Sequence, residues 1–329
     1  MDAAILPSYP SISIHSDHIG MTQFRDLEDP GYKAVSGELL RWAKGLNQTV
    51  LAPSVNNSLE EVTRLGWATS PPTKREIAFA APYSLRPKLA VGLKCLDFDK
   101  HTNIRVRTSA YNIRSESFRI DVSSWSDTIM HRADYTWLDA AADDSDFQFG
   151  EFDTTDDHVW YEPQFQTTSE VKFQHAFDAP PQVIMWLNQL DMDSKADWRV
   201  AAYATDISAN SFIVHVDTWG DSLLWSATVT WIAYPAAKAG VFSGNFGTKD
   251  LSDLKDPHTC SCNVDFGNST FTAPPRVLLA LNSFEIDRRY NLRVNVRADS
   301  ITRTGMTWYI DSWGDTVLYA AGGSFIALG

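Results

Sequence analysis

Cysteine is scarce: Cys95, Cys260 and Cys262 are the only three in 329 residues. An odd, sparse set cannot staple a small fold, so a disulfide framework is excluded. Cys260 and Cys262 flank a single residue, which is not the usual zinc-ligand spacing, and no metal is expected there. Basic charge is also short. Lys and Arg number 28 against 41 Asp and Glu, a formal net charge of -13. That field repels phosphate backbones and anionic lipid, which argues against nucleic acid and against membrane insertion. No stretch reaches the roughly 18 apolar residues of a membrane-spanning helix. Residues 1–20 carry neither a basic start nor a long apolar run, so no secretory signal is read there. A cytoplasmic protein is expected by default, with non-classical secretion as the other route. No Gly-rich phosphate loop, His-x-x-x-His pair or Gly-x-Ser-x-Gly elbow occurs, and no cofactor is expected.

What the chain does have is repetition. The segment FDAPPQVIMWLNQLDMD (177–193) returns as FTAPPRVLLALNSFEID (271–287), and TWGDSLL (218–224) returns as SWGDTVL (312–318). Both recur at an offset of 94, and 20 of the 58 positions between 177–234 and 271–328 are identical without a gap. A further step back of 94 finds a weaker copy: Pro87, Leu96-Asp97, Arg105, Ile113, Phe118 and Ser124-Trp125-Ser126-Asp127-Thr128. A period this long is a domain, not a solenoid turn. Phe149-Gly150-Glu151-Phe152 and Ser243-Gly244-Asn245-Phe246 mark where units begin, with Ser36-Gly37-Glu38-Leu39 as the first unit's counterpart. The expected division is an N-terminal extension, 1–35, then domains 36–141, 142–235 and 236–329. The segment GELLRWAKGL reads equally well as a short helix.

The apolar period is two. Phe118, Ile120 and Val122 alternate with polar residues, as do Phe212, Val214 and Val216, and Leu292, Val294 and Val296. This is the pattern of half-buried strands. Val183–Leu187 and Val277–Leu281 are continuously apolar, as central strands are. The middle unit is read as six strands near 149–153, 171–175, 182–189, 198–205, 211–218 and 223–234. Six amphipathic strands close a core by stacking two antiparallel sheets, so each unit is expected to be an all-β sandwich.

Each unit also carries one ordered set of motifs. Ile/Val-x-Phe is followed by Phe/Tyr, Pro, a strand, Leu-Asp (Phe-Glu in the third unit), x-Arg-Val, Ser/Thr-Trp-x-Asp-Thr/Ser and a closing strand. In this the chain resembles the H-type lectin domain of snail agglutinins and discoidin C-terminal regions, from about residue 75 to the end. The resemblance implies six-stranded antiparallel sandwiches assembled as a trimer, here as three copies in one chain with pseudo-threefold symmetry. A string of units with flexible contacts is the other arrangement. Monomeric chain with an internal pseudo-trimer and higher homo-oligomer both remain open.

The resemblance also implies glycan partners and sugar sites near unit junctions, favouring galactose or N-acetylgalactosamine. The family's site arginine falls on Arg105, Arg199 and Arg293, whose planar fork suits vicinal hydroxyls. Its tryptophan falls on Trp125, Trp219 and Trp313, and these serve equally well as core residues. The next position, polar in the family, holds Ser126, Gly220 and Gly314, a departure that removes one side-chain hydrogen bond. Asp127, Asp221 and Asp315 either accept sugar hydroxyls or cap their turn. His131, Trp225 and Tyr319 match an aromatic wall, with His131 the outlier. Asp156, Asp157, Asp253 and Asp256 match a loop aspartate supplied by a neighbouring subunit.

Two other classes compete with a lectin. Asp97/Asp99, Asp191/Asp193 and Glu285/Asp287 are paired carboxylates of the kind that hydrolyse glycosides. Catalytic pairs in triplicate are unusual, so no enzyme is expected. The same Leu-Asp-x-Asp loops suggest calcium-dependent adhesion, but with too few oxygen ligands nearby. A structural or protein-interaction module that kept the fold and lost its sugar is the closer competitor.

Overall fold

The computed structural model describes residues 62–64, 73–251, 258–267 and 271–329. The first repeat contributes β1 (Val62–Arg64), β2 (Thr73–Ala78), β3 (Lys88–Phe98), β4 (Ile104–Tyr111), β5 (Ser117–Ser123) and β6 (Met130–Ala140). The second contributes β7 (Gln148–Asp153), β8 (Gln166–Lys172), β9 (Gln182–Met192), β10 (Trp198–Thr205), β11 (Ser211–Asp217) and β12 (Leu224–Tyr234). The third contributes β13 (Val241–Gly247), β14 (Thr259–Asp265), β15 (Arg276–Ile286), β16 (Leu292–Asp299), β17 (Gly305–Asp311) and β18 (Leu318–Leu328). Among the described residues the chain is all-β but for two single-turn 3-10 helices, Thr154–Asp156 and Thr248–Asp250. No helix among them is long and apolar enough to cross a membrane.

Within each repeat the strands divide into two three-stranded layers. The first, third and sixth strands form one, and the second, fourth and fifth the other. Aromatic rings pack between the layers: Phe118 on Trp137, Phe212 on Trp231 and Phe246 on Trp308. The alternation seen in the sequence is the cause. Phe212, Val214 and Val216 of β11 are buried, whereas Ile213, His215 and Asp217 are only half-buried. The middle repeat's second strand lies at Gln166–Lys172, not at the expected 171–175. It is a sheet edge, so its residues are mostly polar and its apolar signal is weak; Phe173, beyond its end, packs into the core.

No layer is complete within its own repeat. β4 pairs with β9, β10 with β15, and β16 with β3, all antiparallel. The resulting sheets run β2-β5-β4-β9-β12-β7, β13-β18-β15-β10-β11-β8 and β1-β6-β3-β16-β17-β14. Each six-stranded sheet therefore spans two repeats, and the third repeat pairs back onto the first. The repeats form a closed ring, not a flexible string. The place at the β6 edge that matches β7 and β13 is taken by β1. The expected counterpart Ser36–Leu39 and the segment GELLRWAKGL lie outside the described residues.

The central strands β3, β9 and β15 are buried on both faces. One face meets its repeat's core, and the other meets a second apolar cluster at the ring's axis, including Ala90, Ile184, Trp186, Ala280 and Ile326. At one level of this axis the three equivalent positions are Gly92, Trp186 and Ala280. A Cβ on Gly92 would lie 2.7 Å from the Ala280 Cβ and 2.8 Å from the Trp186 Cβ. One indole, one methyl group and one bare backbone position thus share this level of the axis.

Shared sheets predict how a single repeat behaves. Segment 142–235 made alone would expose β9 and β10 as unpaired edges and Trp186 to water. It is expected to self-associate; a well-folded monomer in light scattering would show that pairing between repeats is dispensable.

Candidate functional site

At each junction an arginine opens a strand of one repeat, directly opposite a carboxylate of the next. Arg105 is in register with Asp191, Arg199 with Glu285 and Arg293 with Asp97. Strand alternation explains the encounter: Leu96, Leu190 and Phe284 point into cores, so the following acid points to the outer face with the arginine. Arg105 Nε lies 3.4 Å from Asp191 Oδ1, and Arg293 Nε lies 3.4 Å from Asp97 Oδ1. The longer Glu285 closes the equivalent gap to 2.9 Å from Arg199 Nε.

The Trp-x-Asp-Thr/Ser loop completes each set. Asp127, Asp221 and Asp315 each accept from their arginine's Nη1 at 2.6 Å. The buried hydroxyls after them fix the loop to the start of the arginine's strand. Thr128 donates to the Asn103 carbonyl at 2.7 Å and Thr316 to the Asn291 carbonyl at 2.6 Å; Ser222 donates to the Asp197 carbonyl. The loop is a tight turn, closed by the Thr128 N–H on the Trp125 carbonyl and its equivalents. Its first central residue has positive φ: 59° at Ser126 and 68° at Gly220 and Gly314. Glycine suits that conformation best. A Cβ at Gly220 would also stand 2.9 Å from Arg199 Nη1, and one at Gly314 2.7 Å from Arg293 Nη1. The glycines therefore leave room for the guanidinium.

The tryptophans are not core residues. Trp125 is exposed, and Trp219 and Trp313 are half-buried. Across the junctions the Trp125 indole favours the charged form of Asp191 and the Trp313 indole that of Asp97. Trp198, one residue before Arg199, is the buried indole of that strand.

The aromatic positions are shared differently from the in-chain spacing. A register shift in the pairing of β6, β12 and β18 with their central strands sets 131, 225 and 319 beside the junction carboxylate of their own repeat. His131 therefore stands with Asp97 at the Arg293 junction, and its charge acts on that carboxylate. Trp225 belongs beside Asp191 at the Arg105 junction. Tyr319, whose hydroxyl donates to Asp287 at 2.9 Å, lies at the Arg199 junction and within reach of the charge on Asp197. Each site thus takes its arginine, tryptophan and turn aspartate from one repeat and its acid and aromatic from the next.

Asp156 and Asp157 are exposed at the end of the single-turn helix after β7, and beyond it Trp160 packs edge-on against Trp225. Asp253 and Asp256 lie outside the described residues. The carboxylate pairs are separated by role. Asp97, Asp191 and Glu285 hold junction arginines. Asp99 accepts from the His101 N–H, Asp193 from the Lys195 N–H and Asp287 from the Arg289 N–H, closing their own loops.

These surroundings set the charges. The arginine beside each of Asp127, Asp221 and Asp315 holds that carboxyl below the usual range. Burial pushes Asp97 and Asp191 above it, against the pull of Arg293 and Arg105. A lowered folded-state pKa stabilises fully above the ordinary range and is lost as pH falls. The melting temperature is expected to hold from pH 7 to about 5 and to drop below about 4. Asp97 and Asp191 oppose that drop, because they take protons more readily folded than unfolded. The fall is expected to steepen in the Asp97→Asn/Asp191→Asn variant. A melting temperature that rises on acidification would show that the buried acids dominate.

The sequence model of the H-type lectin domain matches the chain three times, at residues 74–138, 168–234 and 261–328. The chain is also similar to a Fuscovulum blasticum protein called "ATP synthase subunits region ORF 7". The two are 33% identical over 75 residues, 22% of this chain and 65% of that protein. The chain thus spans under two thirds of that relative's length, and the relative's name states no ligand.

Proposed function

Because the chain belongs to the H-type lectin domain family, a family of carbohydrate-binding domains, we propose that it is a multivalent lectin for galactose- or N-acetylgalactosamine-type glycans with one site per junction. One observation carries this reading. The same set, an arginine clamped by carboxylates beside a solvent-accessible tryptophan, occurs at all three junctions. A guanidinium fork and fixed carboxylates match vicinal hydroxyls, and an indole covers a sugar's C–H face. Among the described residues, Nη2 of Arg105 and of Arg293 has no hydrogen-bond partner, which leaves donors for a ligand. Three shallow sites fixed on one ring raise avidity on dense glycan surfaces by orders of magnitude when they engage together. Catalysis plays no part in this reading, since the junction acids serve as arginine anchors.

The second reading, a structural module, finds its support at Arg199. That guanidinium already serves Asp197, Asp221, Ser222 and Glu285. An array of terminal galactose, N-acetylgalactosamine and unrelated glycans, probed with and without EDTA, separates the two. Selective retention of the first two, unchanged by EDTA, is the expected result. Selective retention of other sugars would keep the lectin and discard its specificity, and a blank array would favour the structural module.

A further inference from the structure

The three junctions differ beside the arginine row. The next outward row crosses the sheet as Arg107–Gln189–Thr228–Asp153 at the first–second junction. At the third–first junction it runs Asn295–Cys95–Asp134. At the second–third junction it is Ala201–Ser283–Gly322–Gly247. In the first case the row is filled: Thr228 Oγ1 donates to Asp153 Oδ2 at 2.7 Å and contacts Gln189 Oε1 at 3.0 Å. In the second, Asp134 is paired with Arg132. In the third, four minimal side chains leave a groove of about 340 Å³. That is within the size range of small-molecule sites.

The groove is continuous with the Arg199 site, because Glu285 and Trp219 line both. Tyr203 forms its far wall. The ring of Tyr203 stacks on His215 at 4.5 Å and its hydroxyl donates to Asp217 at 2.7 Å, so the wall is fixed. Lys249 supplies the rim, its ammonium 5.7 Å from the Trp219 ring centre. Among the described residues no carboxylate lies within ion-pair distance of Lys249, whereas Glu285 is already neutralised by Arg199. The groove therefore offers aromatic walls, amides from Asn245 and Asn282, and the ammonium of Lys249, which has no carboxylate partner among the described residues.

We propose that the second–third junction binds a saccharide of at least two residues, its terminal sugar at Arg199 and a uronic acid in this groove with its carboxylate at Lys249. The proposal rests on the lectin reading above. Consecutive outward rows on a strand are roughly 7 Å apart, which separates two linked sugar positions without overlap. The other two junctions have that second position occupied by their own side chains and take a terminal residue alone.

The test uses the whole chain and immobilised galactose and N-acetylgalactosamine, each alone, linked to a neutral hexose, and linked to glucuronic acid. The wild-type protein is expected to hold the glucuronic acid disaccharides about ten-fold more tightly than the single residues. Ala201→Arg, which installs the first repeat's Arg107 in the groove, is expected to abolish that advantage while single-residue binding and melting temperature stay unchanged. Lys249→Thr, the residue of the second repeat's equivalent position 155, is expected to erase the preference for acidic over neutral disaccharides. Equal affinity for single residues and disaccharides overturns the groove alone, as does an advantage that survives Ala201→Arg. Neutral and acidic disaccharides held alike overturn the role of Lys249. Retention of no glycan of any length overturns the lectin reading itself.

Discussion

Arg199→Ala is expected to lower the stability of the folded ring by roughly 2–4 kcal/mol and to remove glycan binding at its junction. Arg199 is the most connected side chain of the three sites. It donates to Asp197 at 2.7 Å, Asp221 at 2.6 Å, Ser222 at 3.2 Å and, across the junction, Glu285 at 2.9 Å. Its side chain is only 13% exposed, and those of Asp197 and Glu285 are 22% and 24% exposed. Alanine would leave three carboxylates facing one another with no cation, two of them poorly solvated. The pair with Asp221 adds little, since Asp221 is 68% exposed and screened by water. The loss should therefore fall mainly on the contacts with Asp197 and, across the junction, Glu285. Thermal melts at pH 7 measure it, and the deficit is expected to shrink below about pH 4, where the stranded acids take up protons. Arg199→Ala/Glu285→Ala should recover part of the loss, because it removes a carboxylate as well as its counter-ion. An unchanged melting temperature would mean that β10–β15 pairing is held by backbone and core alone. Unchanged binding at the junction, counted by titration stoichiometry, would take Arg199 out of the site.

The candidate sites were only half legible in the sequence, and most of the missing half has one cause. The offset of 94 and the period-two pattern identify three homologous sandwiches and the arginines, tryptophans and turn aspartates. These belong to one strand and the loop that follows, so spacing along the chain reports their neighbourhood. Asp97, Asp191 and Glu285 recur at the same offset, yet in sequence they read as halves of carboxylate pairs. Their arginine partners come from another repeat, and a pairing between repeats leaves no trace in local spacing. The same blindness hides that His131, only six residues after Trp125, stands with Asp97 and Arg293 in the ring. One available clue was the alternation itself. In Leu-Asp at the end of a central strand the leucine faces the core, so the acid must face outward, where the arginine of a paired strand lies. The glycines after two of the tryptophans are a second case. They read as a lost side chain, but the turn requires positive φ at that position.

The ring's axis carries the other large expected effect. Trp186→Ala should cost about 3–5 kcal/mol, the range for truncating a fully buried aromatic side chain. At roughly 2–4 °C per kcal/mol, the melting temperature should fall by about 6–20 °C. The cost should lie near the top of that range because collapse cannot refill the space. The facing positions are Gly92 and Ala280, which have no rotatable side chain to swing inward, and the strands behind them are fixed by two six-stranded sheets. The indole N–H also hydrogen-bonds the Ser324 carbonyl at 3.2 Å, and alanine would leave that buried acceptor with one partner fewer. The carboxylates that hold the site arginines, Asp97, Asp191 and Glu285, stand further along the strands that converge here, so axial loosening should reach all three junctions together. Weaker avidity with unchanged stoichiometry is the expected sign. A combined Gly92→Trp/Trp186→Ala/Ala280→Gly protein tests the pseudo-threefold symmetry directly, because it moves all three residues on by one repeat and removes the Ala280 Cβ that would stand 2.7 Å from a Cβ at position 92. It returns the indole to the same space from the equivalent strand, where the Thr230 carbonyl takes the place of that of Ser324. It should regain much of the lost stability. If instead the swap is no better than Trp186→Ala alone, the surroundings of the axis are specialised to the second repeat, and the resemblance among the three ends at the backbone.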